Sequence, residues 1–292
     1  MIELDFLRLL LAFICGYLLT LSGSLCQLVS NNSIASPSTL GMDGFAVIFV
    51  ILAYFFPLFD VESMSFEHTS FLLFLGFFIL LSSIFLKRKG FEANIWKEFN
   101  IQKVVLIGLA FNLLVGAVFS IIQFLFMALN IRFPSGLWFG SIKYGTVEYL
   151  APVLVIYFFI QLFLFFEIKG LEVLNLGKQM ALSVGIKVDQ VQKKSLMMAL
   201  LCTGTVISYF GVFSFLGLIF PHILRSLPYF KKNMRKELYI GPYLTGFVFC
   251  LFDQFCYQFT LYGAELPVGM VSSVIGAVFL IFLLFKINIS KL

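Results

Sequence analysis

Nine apolar runs, each about 15 to 26 residues long, follow one another along the chain with only short polar interruptions, and no other feature limits its fold so strongly. Runs of this length suit α-helices crossing a bilayer; a β-barrel would show alternating segments of about ten residues instead. Of the 292 residues 61% are hydrophobic and 12% charged, which no ordinary soluble domain tolerates. The expected class is an all-α polytopic membrane protein. Spans are predicted near 7–28, 44–59, 69–86, 104–129, 149–167, 195–209, 211–227, 238–259 and 268–286. Met1–Leu28 reads as a span rather than a signal peptide, because it opens on the acids Glu3 and Asp5 and its apolar run is too long.

Charge sets the orientation. With the C-terminus inside, the loops 87–103, 168–194 and 225–237 carry five basic residues each, and the tail adds Lys286 and Lys291. The opposite side holds only Arg8, Arg132 and Lys143. Seventeen of the 20 basic residues therefore lie on one side, which predicts that side as cytoplasmic and the N-terminus as outside. The net charge of +5 follows this loop pattern and does not suggest nucleic acid. Membrane lipid is the surrounding partner.

The loops differ in character. Residues 29–43 carry no basic residue and only one acid, Asp43, and their Ser, Asn, Pro and Gly residues suit a turn that sits close to neighbouring helices. In 168–194, Leu171, Leu174, Ala181, Leu182 and Gly185 recur at near-helical spacing with an interruption at Gly177, predicting two short amphipathic helices. Such a pair fits an interfacial anchor or a platform for a cytoplasmic partner equally well. The outer loop 130–148 holds Trp138 and Tyr144, as expected of an interfacial belt. Asp253 lies inside a predicted span, where a carboxylate must face protein or water, either as a satisfied structural group or as an ion site.

Enzyme chemistry finds little support. The chain has no G-x-x-x-x-G-K-[ST], no H-E-x-x-H and no G-x-S-x-G, and its two histidines are His68 and His222. The five cysteines fall inside apolar runs without metal-ligand spacing and read as small packing residues.

Five landmarks then occur in order. Arg8 is followed by Gly16 and Ser22-Gly-Ser-Leu-Cys-Gln27; next come Asn32-Ser-Ile-Ala-Ser-Pro-Ser-Thr-Leu-Gly41 and Leu174-Asn-Leu-Gly-Lys-Gln-Met-Ala-Leu-Ser-Val-Gly185. Gly211-Val-Phe-Ser-Phe-Leu-Gly-Leu-Ile-Phe-Pro-His-Ile-Leu-Arg225 is the fourth, and Asp253 with Glu265-Leu-Pro-Val-Gly269 closes the series. Together they resemble the FecCD-type permeases of ABC importers for iron-siderophores, haem and cobalamin. The sequence departs from that pattern at Asn31, Ser33, Ser36, Tyr257 and Val278.

The resemblance implies the ten-helix permease fold, entered at its second helix, in a single transmembrane domain over 1–292 with cytoplasmic coupling helices about 170–194. It implies a subunit that forms the pathway for a chelated metal compound, with iron-siderophore first and haem or cobalamin next. The partners it implies are a cytoplasmic ABC ATPase that binds the ATP, an extracytoplasmic substrate-binding protein, and a second permease copy or a related permease chain. It would place the chain in the bacterial inner membrane with no cofactor, metal site or enzyme activity of its own. By the same resemblance Leu176, Gly177, Lys178, Ala181 and Gly185 would couple to the ATPase, Asn32 and Ile34 would form the cytoplasmic gate, and Arg8 would dock the binding protein. Pro221-His222 would be structural. Three other readings stay open: a permease for bare metal ions, a secondary transporter or channel using Asp253, and a membrane scaffold that transports nothing.

Overall fold

A computed structural model describes residues 2–55, 66–87, 101–130, 139–142, 147–231, 233–261 and 264–289. Among the described residues the regular structure is helical apart from one two-stranded antiparallel pair. In chain order the helices are α1 (Ile2–Ser30), α2 (Met42–Phe55), α3 (Phe66–Lys87), α4 (Ile101–Ala128), α5 (Val147–Asn175), α6 (Lys178–Ser183), α7 (Val188–Phe210), α8 (Leu216–Ser226), α9 (Met234–Tyr239), α10 (Gly241–Gln258) and α11 (Val268–Ile289). The strands β1 (Thr260–Leu261) and β2 (Ala264–Glu265) pair antiparallel between α10 and α11.

Helix α1 is the axis of the bundle. It packs on α5, α7, α8, α9 and α10, and 83% of its most apolar window is buried, against 17% for α4. A helix that is apolar all round needs apolar surroundings, and α1 finds them within the bundle. Among lipid tails, apolar surface gives helices little reason to associate, so small residues and hydrogen bonds must hold them together. Both devices line α1. A Cβ on Gly16 would lie 2.6 Å from Cβ of Phe249 and 3.0 Å from Cα of Gly246 in α10. Thr20 shares a 2.7 Å hydroxyl contact with Thr245 of α10, and Ser22 does the same with Thr203 of α7 while donating to the Ala199 carbonyl. Gln161 of α5 donates to the Tyr17 hydroxyl at 2.7 Å.

Each of the nine predicted spans has a helix among the described residues, but two regions depart from expectation. The stretch 211–227 does not form one span: Gly211 to Phe215 is irregular, with φ of 82° at Gly211 and 66° at Phe215, and α8 is an 11-residue helix that rises about 16 Å, roughly half a hydrocarbon core. The stretch 168–194 does not hold two free-standing short helices. Its first half is the end of α5, which continues to Asn175, α6 alone is short, and α7 already begins at Val188. Leu171 and Leu174 keep helical phase with buried Ile160, Leu164 and Ile168, so no break separates them from the span. Pro221 in α8 has its own compensation. Lacking an N–H, it leaves the Gly217 carbonyl without an intrahelical donor. That oxygen lies 1.7 Å from where a Cβ on Gly23 would be, so the hydrogen of Gly23 faces it instead.

Candidate functional site

The polar and strained residues gather in four places, two toward each end of α1. At its N-terminal end Arg8 turns inward. Nε donates to Asp253 Oδ2 at 2.7 Å, Nη2 to Oδ1 at 3.1 Å and Nη1 to Glu265 at 3.4 Å, while the guanidinium carbon lies 4.2 Å from the centre of the Tyr257 ring. The Arg8 side chain is 12% exposed and that of Asp253 is fully buried. Asp253 is thereby satisfied within the protein. Arg8, expected to meet a binding protein, ties α1 to α10 and to β2 in this structure. Its donors face two carboxylates and an aromatic ring. Arg132 and Lys143, the other basic residues of that side, lie outside the described residues.

Beside this cluster, residues 139–142 run against the joint between α7 and α8. Gly140 donates to the Val212 carbonyl at 3.0 Å, Ser141 to that of Phe210 at 2.8 Å, and Gly269 in the first turn of α11 donates back to Gly140 at 2.8 Å. The joint between α7 and α8 thus obtains strand-like partners for backbone groups that its broken helix leaves open. Only glycine fits there, since a Cβ on Gly140 would lie 2.6 Å from the Val212 oxygen and one on Gly269 would lie 2.7 Å from the Gly140 nitrogen. Phe215 holds its left-handed backbone against α11, where Gly276 leaves room for its Cβ. A bulky aromatic in that conformation is rare, and such strain persists only where the surroundings enforce it.

At the other end of α1 the loop 31–41 folds beneath the bundle. Asn32 Oδ1 accepts from Ile34 N at 3.0 Å, an Asx-turn, and Ser36 and Thr39 bond reciprocally. Asn32 is exposed and Ile34 half-buried, whereas Ala35, Ser36 and Pro37 are buried. Pro37 lies against Gly217 of α8, Gly41 against Gly108 of α4, and Asn112 of α4 donates to the Ser38 carbonyl at 3.1 Å. Next to it Arg225, at the end of α8, donates to Gln27 at 2.7 Å and to Glu237 of α9 at 2.8 Å, while Gln27 donates to the Leu218 carbonyl. Two of the sequence landmarks therefore meet as one hydrogen-bonded unit. Glu237 and Asn112 were not singled out from the sequence; their partners are distant in the chain and no local pattern marks them.

The fourth place is α6. Gly177 stands before it with φ 119° and ψ 152°, a region that only glycine occupies readily, and Gly185 follows it at φ 82°. Neither glycine has an atom within 4 Å of a would-be Cβ, so backbone conformation and not space selects them. Ala181 is fully buried in the core. Around it Leu176, Met180, Leu182 and Val184 are 56 to 69% exposed, and Lys178 is exposed too. The structure brings Leu176, Gly177, Lys178, Ala181 and Gly185 together in one knob. Among the described residues no group of three or more His, Cys, Asp or Glu side chains is placed to hold a metal ion.

The model of the FecCD transport family matches residues 1–286. The chain belongs to the FecCD transport family. Similar FecCD relatives include the iron(3+)-hydroxamate import system permease protein FhuG of Bacillus subtilis (strain 168), 27% identical over 96% of this chain and 82% of the relative. The hemin transport system permease protein HmuU of Yersinia pestis is 25% identical over 96% and 81% of the two chains. The vitamin B12 import system permease protein BtuC of Vibrio vulnificus (strain CMCP6) is 26% identical over 98% and 82%. A solved chain of an inward-facing metal-chelate type ABC transporter superposes with a TM-score of 0.73 at 21% identity, covering 98% of this chain and 87% of that one, which shows that the two share a fold.

Proposed function

We propose that this chain is the permease subunit of a binding-protein-dependent ABC importer and forms the pathway for a chelated metal compound, a ferric siderophore of the hydroxamate kind first, haem or cobalamin next. The α6 knob carries the reading. Four exposed apolar side chains at the polar end of a membrane bundle are out of place in water and out of reach of lipid tails, so they call for a protein partner. That partner is a cytoplasmic ABC ATPase, which would bind and hydrolyse the ATP that the permease does not. The turns at Gly177 and Gly185 set the direction of the knob, through which a rigid-body shift is passed on when the ATPase moves.

The knob shares its end of the bundle with Lys178, Lys187, Arg235 and Lys236, which favours that end as cytoplasmic and the N-terminus as outside, in the bacterial inner membrane. Asn32 and Ile34 then lie at the inner mouth as gate residues. A second permease copy or a related chain completes the pathway, and a substrate-binding protein delivers the chelate from outside. An ion-driven transporter using Asp253 is disfavoured because Arg8 occupies both oxygens of that carboxylate.

Replacing Gly177 with valine forces a β-branched residue into that glycine backbone region at a cost of about 1–3 kcal/mol. The expected result, in proteoliposomes holding permease, ATPase and binding protein, is uptake lowered about tenfold or more while ATP hydrolysis continues. Uptake equal to wild type would remove α6 as the coupling element.

A further inference from the structure

The exposed apolar stripe of α5 ends on a cation, Lys169. Val147, Ala151, Val155, Phe158, Leu162, Phe165 and Phe166 are exposed along one side of the helix, and Lys169, also exposed, is next in the same phase. From Val147 to Phe166 the helix rises about 30 Å, the thickness of a bilayer hydrocarbon core. Lys169 therefore stands at the depth of the lipid phosphates. Helix α9 brings further charge to this corner. Glu172, one turn beyond Lys169, accepts two 2.9 Å bonds from Arg235, whose side chain remains 55% exposed. Buried Met234 and Leu238 pin α9 in place, and Asn233 caps it through the backbone N–H of Lys236. Lys236 Nζ lies 4.1 Å from the ring centre of exposed Tyr229.

We propose that this α5–α9 corner binds the headgroup of an anionic phospholipid, with its phosphate on Lys169, Arg235 and Lys236 and its acyl chains along Phe165 and Phe166. The occupant has to be an amphiphile, because exposed Phe165 and Phe166 lie one helical turn from Lys169. It has to be anionic, because the corner carries Lys169, Arg235 and Lys236 with Glu172 bonded to Arg235, and a zwitterionic headgroup would bring a competing positive charge. Basic groups between helices at a membrane surface bind such headgroups, and each cation contributes a few-fold in affinity.

Native mass spectrometry of the full chain, with phosphatidylglycerol and phosphatidylcholine added in equal amounts, tests the site. Wild type is expected to retain phosphatidylglycerol preferentially, by about fivefold or more. The variant Lys169→Gln/Arg235→Gln/Lys236→Gln should lose that preference, while Lys178→Gln/Lys187→Gln, which removes cations away from the stripe, should keep it. Glu172→Gln should raise the preference, a gain that misfolding cannot produce and that decides the matter if the triple variant fails to fold. Equal retention of the two lipids by wild type, equal loss in both cation variants, or no gain in Glu172→Gln would overturn the assignment.

Discussion

Arg8→Ala will lower the unfolding free energy by about 3–5 kcal/mol, the cost of leaving a buried ion pair without one partner. Asp253 has no exposure and would lose both of its guanidinium bonds, and Glu265 and the Tyr257 ring would lose the same cation. The effect belongs to the uncompensated carboxylate more than to any large net gain from the pair. Arg8→Ala combined with Asp253→Leu should therefore recover much of the loss. Thermal unfolding in one detergent, run as a double-mutant cycle, measures both. Additive losses in the double variant would mean that the two side chains do not act as a pair.

Gly23→Leu should have an effect of similar size through packing alone. The side chain would start 1.7 Å from the Gly217 oxygen, a backbone atom that cannot swing aside, so α8 would have to leave α1. Overpacking a close-packed site costs about 1–3 kcal/mol even when neighbours can shift. Here the shift would also pull Arg225 from Gln27 and Gly217 from Pro37. The expected result is a chain that yields no stable monomer in detergent, with Gly23→Ala intermediate. An unchanged melting temperature for Gly23→Ala would show that the two backbones are not in contact.

Helix class and order were readable in the sequence because a bilayer forces every spanning segment to satisfy its backbone internally and to be apolar for about 20 residues. The break at Gly177 was readable for a related reason: glycine between two helical phases marks a turn. The half-length of α8 was not. Gly211 to Arg225 is as apolar as a span, and Phe215 is among the last residues to expect in a left-handed conformation. Its cause lies elsewhere in the chain, in the backbone partners offered by Gly140 and Ser141 and in the space left by Gly276. The inward pairing of Arg8 was hidden for the same reason, since its partners are 245 and 257 residues away. Side, charge and spacing placed Arg8 at the outer end of α1, but only the packing of α10 and the hairpin decides which way its guanidinium points.

Uptake of a labelled ferric hydroxamate into proteoliposomes, with and without the partner ATPase, tests the central claim most directly. The account predicts uptake that requires the ATPase, the binding protein and ATP, and that vanadate blocks. Uptake by this chain alone, driven by an ion gradient and indifferent to vanadate, would contradict it.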